Sequence, residues 1–245
     1  STTKSIPMVY AQISSELLTR AGIKESLKAL DMVVSSIGQI RDEAQISRVD
    51  ICADFTTSTD FMSIPRNAWV SRSNNFHNYY EGKDLTGFVF GEGSDLSCRL
   101  YDKTIEIKKS RKEYFEPIWK KNEWDGEATV WRLEYQYRRP VLRELFIRTV
   151  DDLVIKLPSL WEYSTQQWLK LTLPSETDTT QSRWPIHPLW CDLINAEWSG
   201  EKGEPLSRIR KSRLPHDQYL YVNGLSAITS IMARDGLAMF DDGLE

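Results

Sequence analysis

The sequence predicts an α+β fold, a mainly antiparallel sheet with helices packed on one face. Three observations carry that prediction. Segments 48–55, 96–103 and 130–137 alternate between apolar and polar residues, a glycine-rich hairpin signature joins two of the middle runs, and helical spacing flanks the strand-rich centre.

Taken in order, residues 8–14 (MVYAQIS) read as a short strand. From Lys24 to Ile37 the apolar residues Leu27, Leu30, Val33, Val34 and Ile37 fall at helical spacing, with Gly38 as the stop. Segment 47–55 alternates strictly: Val49, Ile51, Ala53 and Phe55 point one way, and Arg48, Asp50, Cys52 and Asp54 the other. Residues 56–84 have weak periodicity and contain Pro65, Asn74, Asn75 and Asn78, so mostly loop with short elements is expected. TGFVF (86–90), GEGSD (91–95) and LSCRLYDK (96–103) then form strand, turn and strand.

Residues 104–124 predict a helix broken near Pro117, and Asp125-Gly126 a turn before the alternating run 129–137. Arg139-Pro140 opens a helical stretch through Leu142, Leu145 and Phe146. Thr149 can cap a further helix, with Asp151 and Asp152 at its positive dipole end. Leu160 to Leu171 has helical spacing again. Residues 174–188 are rich in Ser, Thr and Pro and read as a linker; a helix near 188–198, a basic stretch at 206–213 and an acidic tail follow. The expected division is a catalytic region 1–172 and a linker with a helical, basic extension over 173–245.

Composition narrows the function classes. With 245 residues, 40% hydrophobic and 27% charged, the chain can bury one sizeable core. No run reaches the ~18 apolar residues of a membrane span and no secretory signal opens the chain, so a cytoplasmic protein without membrane contact is expected. It starts at Ser1 with no initiator Met, which fits processing or truncation. Cys52, Cys98 and Cys191 show no CxxC spacing, against a disulfide framework or a cysteine zinc site. The three histidines, His77, His187 and His216, form no HxH or HExxH pair. Net charge is −4, yet positive residues bunch at 108–112, 138–143 and 208–213, as a local grip on a phosphate chain requires. Runs of this kind are more often plain solvated faces.

The alternation has a chemical consequence. If the three strands share one sheet with their apolar rows facing helices, the other face collects Asp50, Asp54 and Glu134 with Arg48, Arg99, Arg132, Lys103 and Tyr101. Carboxylates suit a hard cation such as Mg²⁺ or Mn²⁺, and Arg and Lys suit phosphate oxygens. A tyrosine among them is a potential nucleophile for a phosphodiester. The bland reading is a solvated sheet face laced with ion pairs, and spacing alone does not make the strands neighbours.

At these same segments the chain resembles the replication initiation factor family of rolling-circle plasmid and phage initiators, with related relaxases of conjugative elements. The matching pieces are Arg48-Val49-Asp50-Ile51-Cys52-Ala53-Asp54, then Phe90-Gly91-Glu92-Gly93-Ser94, then Arg99-Leu100-Tyr101-Asp102-Lys103 with Glu106, and Arg132-Leu133-Glu134. The match spans about residues 8–170. The resemblance implies a nicking-endonuclease-like core lacking the histidine pair. It also implies a metal-dependent, site-specific DNA endonuclease and strand transferase that forms a 5′-phosphotyrosyl intermediate at a replication origin. Carried over, Tyr101 is the nucleophile, Arg99 and Lys103 flank it as phosphate contacts, and Asp50, Asp54 and Glu134 are metal-ligand candidates for Mg²⁺ or Mn²⁺. Arg48 and Arg132 join them as phosphate-binding candidates. Implied partners are origin DNA of single-stranded or hairpin character, a second copy of the chain and a host helicase. Glu92 departs from the family pattern, where a basic residue is common.

Three alternatives stay open: a conjugative relaxase with the same chemistry, a metal-dependent nuclease in which the carboxylates activate water, and a non-catalytic single-stranded nucleic-acid binder. Tyr135 and Tyr137 are reserve nucleophiles assigned to the core by their row, and Tyr79 and Tyr80 lie in an expected loop.

Overall fold

A computed structural model describes residues 9–40 and 42–196, together with Trp198, Leu206 and Arg208. All the elements below belong to residues 1–207, the first of two units into which the chain divides. The expected basic stretch at 206–213, apart from Leu206 and Arg208, and the acidic tail lie outside the described residues.

The three alternating segments are strands: β1 (Arg48–Thr56), β5 (Leu96–Asp102) and β6 (Val130–Arg138). Between β1 and β5 come β2 (Trp69–Ser71), β3 (Phe76–Glu81) and β4 (Asp84–Phe90). The main sheet runs β1-β6-β5-β4-β3, every pair antiparallel. β2 pairs instead with β7 (Leu169–Leu171) in a two-stranded sheet. The fold is therefore α+β with a mainly antiparallel sheet, as expected.

Register explains why one face is a core. Ile51, Tyr135, Cys98, Phe90 and Phe76 stand opposite one another across all five strands. The first four of them are buried. A slip of one residue in any strand would turn its apolar set to water. Helices α4 (Arg139–Glu144), α5 (Val150–Glu162) and α6 (Pro188–Ile194) supply Val141, Leu142, Leu160, Trp161, Trp190 and Leu193 to that core. Thr149 and Asp152 form a reciprocal capping box at the start of α5: the Asp152 amide donates to Thr149 Oγ1 (3.2 Å) and the Thr149 amide to Asp152 Oδ2 (3.1 Å). Tyr135 and Tyr137 are fully buried in the core, and the Tyr137 hydroxyl shares a hydrogen bond with Ser164.

Helices α2 (Lys103–Ser110) and α3 (Glu116–Lys121) do not join this layer. Ile107, Phe115, Trp119 and Val130 form a second small cluster at one end of the polar sheet face. Pro117 sits in the first turn of α3, where its missing N–H costs nothing, so the helix begins near the proline that was expected to break it.

Three stretches differ from expectation. Residues 9–14 form no strand, and the expected helix extends backwards into α1 (Ser15–Ile37), interrupted at Gly22 by a φ of 74°. The apolar periodicity over 160–171 continues past α5 only as a π-helical turn, Tyr163–Trp168, before the chain straightens into β7. Residues 174–188 pack on the body: the Leu173 amide donates to the Pro185 carbonyl (2.8 Å), Thr172 bridges Ile186, and Trp184 is buried. A tryptophan outweighs the Ser, Thr and Pro around it because burying so large an apolar surface offsets much ordering entropy. Among the described residues no helix is long and apolar enough to cross a membrane.

Gly87 lets β4 approach β5. A Cβ there would lie 2.7 Å from the Leu100 carbonyl oxygen and 2.9 Å from Tyr101 Cβ. Gly87→Ala is expected to destabilise the chain by about 1–3 kcal/mol, read as a lower urea midpoint with an unchanged slope.

Candidate functional site

The side chains left over by the core form ordered rows on the opposite face. One row runs Asp54, Arg132, Tyr101, Gly87 and Tyr79 from β1 to β3; the next runs Cys52, Glu134, Arg99, Val89 and His77. A third carries Asp50, Gln136 and Ser97. The polar residues of β1, β5 and β6 therefore do share one surface, because β6 lies between the other two. The face lines a broad groove whose lining also includes Leu27, Leu30 and Val34 of α1.

Glu134 is the hub. Arg99 donates to its Oε1, and the Tyr101 hydroxyl donates to its Oε2 at 3.0 Å. Burial pushes the Tyr101 phenol well above its ordinary range, the adjacent Glu134 charge adds to the push, and Arg132 opposes it. The resting tyrosine is thus a neutral hydroxyl aimed at a carboxylate. The Arg99 side chain is 43% exposed, so its guanidinium faces both Glu134 and solvent.

Arg132 has a different environment. It donates to both oxygens of Asp54, at 2.5 and 2.7 Å, and its guanidinium lies 4.6 Å from the Phe115 ring centre. Burial works hardest against its charge, but the Asp54 hydrogen bond together with the charges of Asp54 and its acidic neighbours outweighs it, so Arg132 is held more firmly protonated than a free arginine. Trp119 Nε1 donates to Asp54 Oδ2 at 3.0 Å, closing the pair from above. Arg132 is buried and structural in its contacts. Arg48 is more open and pairs with Asp50, Nε to Oδ1 at 2.8 Å.

Asp102 ends β5 and caps α2, accepting from the Ile105 amide at 2.9 Å. That abrupt turn puts Lys103 in the first turn of α2, where its side chain is only 2% exposed and bonded to Glu106. Burial and the charge of Arg132 lower its ammonium pKa. The Glu106 carboxyl feels burial upwards but is held below the ordinary range by its bond to Lys103, with Lys112 Nζ at 3.3 Å on its other side. Lys103 is therefore buried 5.6 Å from the Tyr101 ring centre, rather than out in the open polar row where the alternation places it.

The expected metal set needs the same scrutiny. Asp50, Asp54 and Glu134 are on one face but do not converge: each is bonded to its own arginine, Arg48, Arg132 and Arg99 respectively. The register sets Cys52 between the two aspartates and opposite Glu134, and burial raises its thiol to about 11. Among the described residues no group of three or more His, Cys, Asp or Glu is placed to hold an ion. As arranged, this donor set does not fit a divalent cation, because binding would first have to strip a carboxylate from a guanidinium.

The edge strand adds residues that the sequence reading placed in a loop. Tyr79 is on β3 and 45% exposed, and its hydroxyl donates to Glu92 Oε1 at 3.2 Å. Burial and the Glu92 bond raise the Tyr79 phenol, and the positive charge of Arg99 acts against them. His77 Nε2 stands 3.7 Å from the other Glu92 oxygen. The signal that could have located this strand is the Gly82-Lys83 pair between two short runs that turn out to be β3 and β4.

Against known proteins, no family model and no curated protein matches. One solved structure is similar, that of the rolling circle replication initiator protein from Geobacillus stearothermophilus. The likeness has a TM-score of 0.43 at 19% identity and covers 61% of this chain and 55% of that one, so the chain spans about half the length of the protein it matches.

The two aspartates of β1 should separate in a stability assay. Asp54→Ala strands a buried guanidinium and is expected to cost about 3–5 kcal/mol. Asp50→Ala opens a solvent-facing pair and should cost less than about 1 kcal/mol, both read from urea unfolding.

Proposed function

We propose that this chain nicks and rejoins single-stranded DNA through Tyr101, starting rolling-circle replication at an origin. The observation that supports this reading best is the Tyr101 hydroxyl donating to Glu134 beside a solvent-facing Arg99. The family resemblance at the same residues supplies the substrate and the direction of cleavage. Conjugative relaxation would use the same steps on different DNA.

A phosphate arriving in the groove meets the outer side of Arg99. Tyr101 Oη attacks phosphorus and its proton passes to Glu134 Oε2. The bond from phosphorus to the 3′ oxygen breaks, leaving the 5′ phosphate on Tyr101 and a 3′ oxygen that takes a proton to become a hydroxyl. Protonation cancels the Glu134 charge that held Arg99, so the guanidinium is released towards the phosphate as negative charge builds there. The raised Tyr101 pKa makes the base necessary, since little phenolate exists near neutral pH. Mg²⁺ or Mn²⁺ enters this reading on the resemblance alone. Partner proteins, a second copy or a helicase, are likewise proposals of the resemblance.

One observation favours a second reading. Because Asp50, Asp54 and Glu134 are all paired with arginines, the face does not repel a phosphate chain as free carboxylates would, and a non-catalytic single-strand binder is compatible with it.

The test is a pool of single-stranded DNA hairpins with randomised loops, incubated with the chain with and without Mn²⁺ and scored for adducts that survive denaturation. The expected result is an adduct absent in Tyr101→Phe and formed about 10²–10⁴-fold more slowly in Glu134→Gln, with single-strand binding retained in both. Binding without any adduct would favour the binder, and cleavage persisting in Tyr101→Phe would sink the nucleophile assignment.

A further inference from the structure

The groove over the polar face has a second wall of opposite character. Ile23, Leu27, Leu30, Val34 and Ile37 of α1 line it together with Arg99 and Tyr101. Steps of three and four residues put all five on one side of the helix. None of them belongs to either apolar cluster of the described residues, nor to the side chains packed against those clusters. Leu27, Leu30 and Val34 are half-buried, while Ile23 and Ile37 are exposed, Ile37 by 77%. An apolar row left open to a groove is unfavourable in water, and surfaces of this kind mark contact sites. The helix is tied down from its other limb. Before the kink at Gly22, Ser15 Oγ shares a 2.9 Å hydrogen bond with the Tyr114 hydroxyl, and the Arg20 guanidinium lies 5.9 Å from the Tyr114 ring centre. The limb after the kink carries the apolar row.

The sheet wall carries positive charge along its length. Beyond Arg99, the groove is lined by Arg48 of β1 and by Arg138 and Arg139, where β6 passes into α4. Arg139 donates to the neutral Gln45, and among the described residues no ion pair holds Arg138 or Arg139. Arg132, opposite Tyr101, and Arg138, opposite Arg48, lie about 20 Å apart along β6. From Ile23 to Ile37 the helix rises about 21 Å. The charged track and the apolar row are therefore of similar length.

One wall of guanidinium and one of hydrocarbon match a polymer that is anionic along one edge and apolar along the other. A single nucleic-acid strand is such a polymer, with phosphates on one side and base faces on the other. In a duplex the base faces are stacked inside, so an aliphatic row would meet only phosphates and groove edges and gain nothing. At about 3.4 Å per stacked nucleotide, the row spans about six nucleotides. We propose that the Ile23–Ile37 limb of α1 is the base-contacting wall of the groove, holding unpaired nucleotides beside the bond that Tyr101 addresses while the arginines hold their phosphates. This inference rests on the reading of Tyr101 given above and names how its DNA is recognised. Aliphatic side chains carry no donors or acceptors to tell one base edge from another, so α1 selects for strandedness and not for sequence.

The experiment measures, by fluorescence anisotropy, binding of the whole chain to an oligothymidylate, an abasic sugar-phosphate strand of the same length, and a duplex of that length. The oligothymidylate is expected to bind about tenfold more tightly than either of the others. In the triple variant Leu27→Ala, Leu30→Ala and Val34→Ala, its affinity should fall to that of the abasic strand, which itself stays unchanged. The double variant Leu27→Met and Leu30→Met keeps the apolar surface and should keep the preference. Alanine and methionine are good helix formers and these positions lie outside the apolar clusters, so the variants should fold, as circular dichroism would verify. Wild-type chain that binds oligothymidylate no better than the abasic strand or the duplex overturns the proposal. So does a preference that survives the alanine variant, or an equal loss for both single strands. A dimer in sedimentation that the alanine variant dissociates assigns the row to a second copy and likewise overturns it. Adducts with hairpin DNA are scored separately: an adduct that disappears in Tyr101→Phe alongside any of these results removes the α1 proposal alone. Absence of any covalent adduct overturns the Tyr101 reading itself.

Discussion

The buried pair between Arg132 and Asp54 sets the terms for everything else on the polar face. An ion pair in so enclosed a place survives only when its geometry is bidentate and its remaining valences are met. Here the guanidinium bonds both carboxylate oxygens, Trp119 takes one of them again, and Phe115 lies against the cation. The pair locks β6 to β1 and draws the α3 region down onto the sheet. It also removes Asp54 from competition, so that Arg99 is left to Glu134 and Tyr101 has a carboxylate to address. A site that holds a neutral phenol against a charged base needs that kind of prior settlement among its neighbours.

Much of this was legible from alternation. The polar rows of 48–55, 96–103 and 130–137 were assigned to the correct side, as were the buried Tyr135 and Tyr137, because period-two patterning reports which face a side chain takes. What alternation does not report is which residues stand opposite each other across strands. The register sets Asp54 opposite Arg132 and Glu134 opposite Arg99, while Asp50 pairs with Arg48 on its own strand, so the expected convergence of Asp50, Asp54 and Glu134 gives way to three separate ion pairs. Lys103 shows the same limit in another form. Alternation continued one residue too far, since Asp102 stops the strand and the lysine falls inside α2.

Other elements were hidden for local reasons. β3 is polar on both sides, as an edge strand can be, so FHNYYE carries little apolar signal, and its register with β4 shifts between Tyr79 and Tyr80. The run 160–171 keeps helical spacing through a π turn, whose wider winding still buries Tyr163, Ser164, Thr165 and Trp168 before the chain becomes β7. The Ser-, Thr- and Pro-rich run after it has the composition of a tether, yet its single buried tryptophan, Trp184, moors it.

The exposed rim of the sheet has one more consequence. A strand with a bare edge offers unpaired amides and carbonyls to any other extended chain, and proteins blunt such edges with charge, polarity and irregular register. β3 has all three: Glu81 at its end, His77, Asn78 and the tyrosines along it, and the shift beside Tyr79. The features that keep this rim from templating aggregates are thus also the ones that line the groove there with hydrogen-bonding side chains, so edge protection and groove polarity rest on the same few positions. Attempts to evolve a better-behaved variant would have to leave that margin alone or alter both properties together.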